Sequence, residues 1–250
     1  MVNKSEKINK VKHFVLEYLD VLYKDSSSGN PPKFPSYELT ARDYLEFAEE
    51  ELSKNTQSSL INCISNLKRA MDCQLNTFLY SFNLSKIFND RNLKFKKKLD
   101  FLNATGIFGP RSLARLNTIR NKMEHEYQVP KIKDIEVYYD LVTAFVSVLE
   151  NVMLGLSLDN EMYFCLNEEY VVQGVFNIAY LHDKPSIKID WTITKDGKNY
   201  DKEEFEANIS NKNEIIDFAF FFRIFLLMHQ NEGIASKNYI LNQLKKSVIK

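Results

Sequence analysis

The residues best suited to chemistry stand close together, in the run Arg-Asn-Lys-Met-Glu-His-Glu-Tyr that begins at Arg120. On a helix, Arg120, Glu124 and Tyr127 share one face, while Asn121 and His125 share the adjacent face. About 7.5 Å of helix rise separates Arg120 from His125, so both side chains can reach one small anion. The guanidinium of arginine is permanently charged, and the fixed geometry of its N–H donors matches the oxygens of a phosphate. The imidazole of histidine exchanges a proton near neutral pH. The run therefore predicts phosphate chemistry that needs no metal.

The same run resembles a known motif, the R-x4-6-H signature of the HEPN superfamily of helical domains, in which a polar residue such as Asn121 follows the arginine. It also fits the stricter R-x4-H-x-Y form found in HEPN toxins that are encoded beside minimal nucleotidyltransferases. The resemblance extends over roughly residues 40–155. It implies an antiparallel helical bundle with the motif near the end of a late helix.

The resemblance implies a metal-independent endoribonuclease that acts as a toxin or phage-defence effector. The ribose 2′-OH would attack the adjacent phosphorus, His125 would move protons, and Arg120 would stabilise charge in the transition state. HEPN nucleases pair two motifs across a two-fold interface, so a homodimer is expected to supply the second histidine. RNA is the implied substrate, and a cognate antitoxin such as a nucleotidyltransferase, acting on Tyr127, is the implied partner.

The resemblance gives supporting roles to Asn121, Glu124 and Tyr127. Many HEPN domains also place a polar or acidic residue on an earlier helix, facing the motif, and Asp72 is the candidate here; a solvent-facing Asp72 is an equally good interpretation. Two other hypotheses stay open for the whole chain. In the first, the chain is a non-catalytic HEPN module that binds nucleic acid or nucleotide, or that mediates assembly. In the second, it is a helical protein that matches the motif by accident.

A basic window at residues 86–133 leads into and includes the motif. The whole chain is neutral, with 33 Lys and Arg against 33 Asp and Glu, but this window carries 12 basic and four acidic side chains, a net charge of +8. Such a patch attracts a polyanion. The alternative is an ordinary solvated helix face. The predicted RNA contacts are Lys96, Lys97, Lys98, Arg111 and Arg115.

Neither a cofactor nor a metal site is predicted. The chain has no glycine-rich phosphate loop, and His13, His182 and His229 have no partner at metal-ligand spacing. Three cysteines without C-x-x-C spacing indicate reduced thiols, and the first residues do not resemble a signal peptide. The apolar stretch at residues 218–228 is interrupted by Arg223 and is shorter than the ~20 residues of a membrane span. A cytoplasmic protein without a membrane partner is therefore expected.

Apolar residues spaced three and four apart predict helices through the first 155 residues, most clearly from Leu60 to Phe82. Thr40 is the predicted N-cap of an earlier helix, and Ser236 of a late one. After residue 156, apolar and polar residues alternate in several segments, which predicts strands before the chain returns to helix near residue 213. The expected fold is mainly α, a HEPN-like antiparallel helical bundle followed by a smaller α+β segment. The predicted domains are an N-terminal helix and Pro/Ser loop at 1–39, a HEPN-like domain at 40–155 and an α+β segment at 156–250.

Overall fold

The structure is a computed structural model and describes two compact units. The helical unit comprises Lys33–Asn103 and Ile107–Leu154, and the sheet unit comprises Met1–Pro32, Ala104–Gly106 and Gly155–Lys250. The residues described are 6–109, 111, 118, 121–122, 132–168, 172–195, 198–231 and 233–246.

The described helices and strands follow one another in an order that mixes the two types. In chain order they are α1 (Glu6–Tyr18), β1 (Leu22–Ser28), α2 (Ala41–Lys54), α3 (Gln57–Ser81), α4 (Ser85–Asp90), α5 (Phe95–Ala104), α6 (Ile132–Leu158), β2 (Glu161–Glu168), β3 (Val172–Leu181), β4 (Ser186–Lys195), β5 (Lys198–Asn208), a short 3-10 helix (Lys212–Glu214), α7 (Ile215–Gln230) and α8 (Lys237–Lys245).

Side-chain caps fix the starts of α2 and α3 in the helical unit. The Thr40 hydroxyl accepts from the backbone N–H of Asp43, and the Asp43 carboxylate accepts from the backbone N–H of Thr40 at 2.6 Å. Thr56 and Ser59 form the same reciprocal pair at the start of α3. Each cap satisfies backbone donors that have no partner within the helix and contributes about 0.5–2 kcal/mol. The predicted N-cap at Thr40 is confirmed.

The core of the helical unit is formed by the apolar stripes of its two longest helices. The apolar stripe of α6 is buried at Ile135, Tyr138, Val142, Phe145 and Leu149. Each such side chain contributes roughly 1.5–3 kcal/mol when it is fully buried. The stripe of α3 is buried over its whole length, at Leu60, Ile64, Leu67, Met71, Leu75 and Phe78.

The sheet unit contains a five-stranded antiparallel sheet in the order β1-β2-β3-β4-β5. Register pairs Phe176 with Phe164 on one side and with Trp191 on the other, so these three rings lie on one face. The Phe14 ring of α1 stacks on this face, 5.2 Å from the Phe176 ring and 4.3 Å from the Trp191 ring. One side of the sheet therefore faces a helix-covered core, as is common for antiparallel sheets.

Helix α7 covers the same face of the sheet farther along the strands. The Tyr180 ring, in register with Ile187, lies 6.4 Å from Phe218 and 6.0 Å from Phe222. Most of α7 is buried, which explains why its sequence is apolar on every side.

Arg223 interrupts the apolar sequence of α7 because its guanidinium binds backbone carbonyls inside the sheet unit. Its Nε and Nη2 donate to the Ala104 carbonyl at 3.2 and 2.6 Å, and its Nη1 donates to the Lys246 carbonyl at 3.2 Å. The residue is only 7% exposed, and burial lowers the pKa of its guanidinium. The side chain therefore ties Ala104 and Lys246 to α7 within the sheet unit.

The prediction of a mainly α fold, with a helical bundle and a smaller α+β segment, is wrong. The protein is mixed α+β around a five-stranded sheet, although helices dominate. The two strands that the sequence did not indicate, β1 and β5, are the edges of the sheet. β1 ends in three exposed serines and β5 is rich in Lys, Asp and Glu, so neither shows apolar alternation. Backbone pairing with a single neighbour holds such edge strands, and charged or polar side chains on them discourage further pairing.

The first 32 residues belong to the sheet unit, together with the chain after Gly155. This division differs from the predicted grouping of residues 1–39 as a separate N-terminal segment. The reason is that β1 pairs with β2 and α1 covers the sheet, contacts between residues far apart in sequence that periodicity does not reveal.

One helix in the described part of the chain, α6, is long and apolar enough to cross a membrane by length and composition alone. The core helix of a soluble protein meets the same criterion, and the α6 stripe described above is buried in the helical unit. The structure is therefore compatible with a soluble protein.

Candidate functional site

Most of the predicted catalytic motif lies outside the described residues. This applies to Arg120, Glu124, His125 and Tyr127, and also to Arg115 of the predicted RNA contacts. Their assignments stay predictions.

Asn121 is the one residue of the predicted site within the motif that the structure describes. It has helical backbone and an exposed side chain. Arg111, Thr118 and Lys122 likewise have helical backbone and exposed side chains. The polar side chain that directly follows Arg120 is therefore accessible to solvent.

Asp72 lies on α3 and is half-buried, between the buried side chain of Met71 and the half-buried Cys73. A half-buried carboxylate on the long helix fits either of its two interpretations. Its position relative to Arg120 and His125 lies outside the described part of the chain.

The three consecutive lysines of α5 have different surroundings. Lys96 and Lys97 are exposed, and the Lys97 ammonium lies 3.8 Å from the carboxylate of Asp100. Lys98 is half-buried, and its Nζ donates to the Asn76 side-chain oxygen on α3 at 3.1 Å. Successive residues on a helix point in directions about 100° apart, so the three ammonium groups do not form one flat patch.

Lys98 lines a polar cavity of about 540 Å³ in the helical unit, which we call the Lys98 cavity. Tyr80 of α3 and Tyr37 of the segment before α2 also line it, and their side chains are 44% and 46% exposed. A cation beside exposed aromatic faces suits single-stranded nucleic acid, because bases stack on the rings while the cation meets a phosphate. The remaining lining residues are Pro35, Ser36, Asn76, Leu79, Ser85 and Asn89.

The sequence analysis pointed to Lys98 but missed its neighbours Asn76 and Tyr80. A sequence signal for them exists, since the two residues are four apart on α3 and therefore share a face. Tyr37 had no such signal, because it lies in a segment without periodicity.

Within the described part of the chain, the cysteines and the remaining histidines show no arrangement for catalysis or metal binding. Burial raises the pKa of the Cys63 thiol to about 11, so it behaves as a core side chain rather than a nucleophile. Across the described residues, no group of three His, Cys, Asp or Glu side chains could hold a metal ion.

His229 belongs to an ionic cluster in the sheet unit. The Asp159 carboxylate lies 3.5 Å from His229 Nδ1, accepts from Lys24 Nζ at 2.8 Å and accepts from the Ser27 hydroxyl at 2.5 Å. His229 Nε2 is 3.0 Å from the Asp159 carbonyl and donates to it. Because the carboxylate, not the imidazole, contacts the serine, this is not the order of a nucleophilic triad. The cluster joins β1, the residue that follows α6, and α7.

Comparisons with protein-family models, with curated proteins and with solved structures return no match to this chain.

Proposed function

We propose that the protein is a metal-independent endoribonuclease of the HEPN type, in which Arg120 and His125 act on the scissile phosphate. The observation that carries the proposal is the spacing of Arg120, Asn121, Glu124, His125 and Tyr127, which matches the R-x4-H-x-Y motif. A guanidinium and an imidazole within reach of one anion supply charge stabilisation and proton transfer.

The reaction requires that the 2′-oxygen bond to phosphorus forms while the bond from phosphorus to the 5′-oxygen breaks. One group removes the proton of the 2′-OH, and another gives a proton to the departing 5′-oxygen. One chain offers a single His125, so a second copy of the chain completes the acid–base pair. The active species is therefore a homodimer, and its products are a 2′,3′-cyclic phosphate and a 5′-OH.

RNA is held mainly through its phosphates by Lys96, Lys97, Lys98, Arg111 and Arg115. The exposure of Lys96, Lys97 and Arg111 supports this role. The Lys98 cavity supports it further, since it combines an ammonium with the rings of Tyr37 and Tyr80. The protein acts in the cytoplasm as a toxin or phage-defence effector, under a cognate antitoxin such as a nucleotidyltransferase that modifies Tyr127.

The test is cleavage of single-stranded RNA by purified protein in EDTA. We expect His125→Ala and Arg120→Ala each to lower the rate by roughly 10²–10⁴-fold, because each removes a group that acts in the transition state. His13→Ala is the matched control, since His13 is an exposed histidine on α1 in the sheet unit. Thermal unfolding midpoints of all variants should match the wild type. Cleavage that persists unchanged in both motif variants refutes the assignment.

A second candidate function is a non-catalytic HEPN module that binds RNA. The Lys98 cavity favours it, because aromatic stacking and a single cation bind a strand without chemistry. The same experiment separates the two functions. Wild-type protein that binds RNA in EDTA and leaves it intact supports the binding module.

A further inference from the structure

A second cavity, of about 320 Å³, lies in the helical unit beside the Lys98 cavity. It is lined by Phe34 and Tyr37 from the segment before α2, by Gln74 and Thr77 of α3 and by Met153 of α6. We call it the Gln74 cavity. Its volume is at the lower end of the ~300–1,000 Å³ of small-molecule sites.

Gln74 is the unusual member of this lining. It is only 4% exposed, and its Nε2 has no hydrogen-bond partner in the described part of the chain. Buried polar groups in native proteins are almost always paired, because an unpaired donor loses its hydration without compensation. A methionine would occupy similar space on this apolar stretch of α3 without that penalty. Because Gln74 lines the cavity, rotation of its amide group would present this unpaired donor to a ligand that enters it.

The charged side chains that line the Gln74 cavity neutralise one another. Arg42 donates through Nε to one Glu150 oxygen at 3.0 Å and through Nη2 to the other at 2.5 Å. Because this ion pair is bidentate, neither side chain is left with an uncompensated charge that could bind an ionic ligand. A ligand of this cavity is accordingly neutral where it meets the protein.

The remaining lining favours a flat ring. The side chains of Phe34 and Tyr37 are 54% and 46% exposed, although aromatic rings usually avoid such exposure. Prolines at 31, 32 and 35 restrict the backbone of the segment that carries them. The rings are therefore presented on a stiff segment that loses little conformational entropy on binding.

We propose that the Gln74 cavity binds a neutral planar heterocycle that carries a carbonyl oxygen, which is the chemistry of a nucleobase. Gln74 Nε2 donates to the carbonyl, and the ring stacks on Phe34 or Tyr37. Uracil, cytosine and guanine each present an exocyclic carbonyl, whereas adenine offers only ring nitrogens as acceptors. The cavity should therefore bind uridine, cytidine and guanosine more tightly than adenosine.

The experiment is calorimetric titration of the full-length protein with each of the four nucleosides, with ribose as the ring-free control. Gln74→Met should weaken binding of the three carbonyl nucleosides by about tenfold, the loss of one hydrogen bond to an otherwise unpaired donor. Gln57→Met is the matched control, because Gln57 is an exposed glutamine on the same helix. Without ligand, Gln74→Met should unfold at the wild-type temperature or above it, since it removes an unpaired buried donor. Phe34→Ala should also weaken binding while leaving unfolding unchanged.

A nucleoside has no phosphodiester bond, so this result is independent of whether Arg120 and His125 cleave RNA. A cleavage-resistant 2′-O-methyl trinucleotide identifies the source of the base. Tighter binding of the trinucleotide than of its nucleoside assigns the cavity to RNA, and equal binding assigns it to the free nucleoside. Absence of binding by every nucleoside at millimolar concentration overturns the proposal, and so does an affinity that is unchanged in Gln74→Met.

Discussion

His229 is a single residue whose burial has a measurable consequence for stability. In the folded chain its pKa is lower than the ordinary 6.5, because burial penalises the imidazolium and the Lys24 ammonium repels it, while Asp159 opposes both effects. The unfolded chain therefore binds this proton at a higher pH than the folded chain does. The stabilisation is present in full above pH ~6.5 and is lost as the pH falls through this value toward the folded pKa.

We expect the unfolding temperature of the wild type to decrease as the pH is lowered from about 7.5 to about 5.5. His229→Gln should reduce this dependence, because the glutamine amide still donates to the Asp159 carbonyl but does not titrate. Burial also lowers the pKa of His182. Part of the pH dependence of the unfolding temperature should therefore remain in His229→Gln. The measurement is calorimetry across this pH range, with the exposed His13→Gln as control. An equal slope in His229→Gln and wild type would contradict the prediction.

Single residues differ in how well the sequence alone revealed their roles. The residue types at Arg120 and His125 suffice to suggest phosphate chemistry, because few side chains carry a fixed charge or titrate near neutral pH. Arg223 was visible in the sequence only as an interruption of an apolar run. Its function as a donor to the Ala104 and Lys246 carbonyls depends on residues far away in the chain, which no local pattern encodes.

Helices and strands are also predictable from the sequence only where their signals are local. The predicted helices with caps and long apolar stripes, such as α2, α3 and α8, are confirmed, because their signals are local. Strands β2, β3 and β4 were indicated by alternation, since one of their faces is buried. The edge strands β1 and β5 are stabilised by pairing with a neighbour rather than by their own apolar residues, so they were missed.

Two glycines offer a matched test of these elements. A Cβ at Gly174 of β3 would overlap the backbone carbonyl of Thr192 on β4, whereas a Cβ at Gly155 of α6 would meet nothing within 4 Å. We expect Gly174→Ala to destabilise the protein by about 1–3 kcal/mol through forced strand separation. Gly155→Ala should stabilise it by about 0.5–1 kcal/mol, because alanine favours helix. Urea unfolding measures both, and equal effects of the two substitutions would show that close strand approach at Gly174 does not matter.

For the whole molecule, the proposed reaction predicts a dimer. Light scattering should give about twice the 29.3 kDa of one chain. Because each active site needs histidines from two chains, cleavage per unit of protein should fall when dilution dissociates the dimer. An active enzyme that is strictly monomeric at every concentration would exclude the shared site, although Arg120 and His125 could still be required.

β1 and β2 are paired in the sheet but lie far apart in the sequence. They therefore leave the ribosome at different times during synthesis. Helix α1 and β1 leave the ribosome well before the strands that they contact, which begin only at residue 161. At typical rates of translation this interval lasts on the order of ten seconds. Throughout it, the apolar side chains of Ile8, Val11, Phe14 and Val15 have no sheet to cover, while most of the helical unit has already been made. The nascent chain therefore presents an amphipathic helix that molecular chaperones are suited to bind until β2 to β4 emerge.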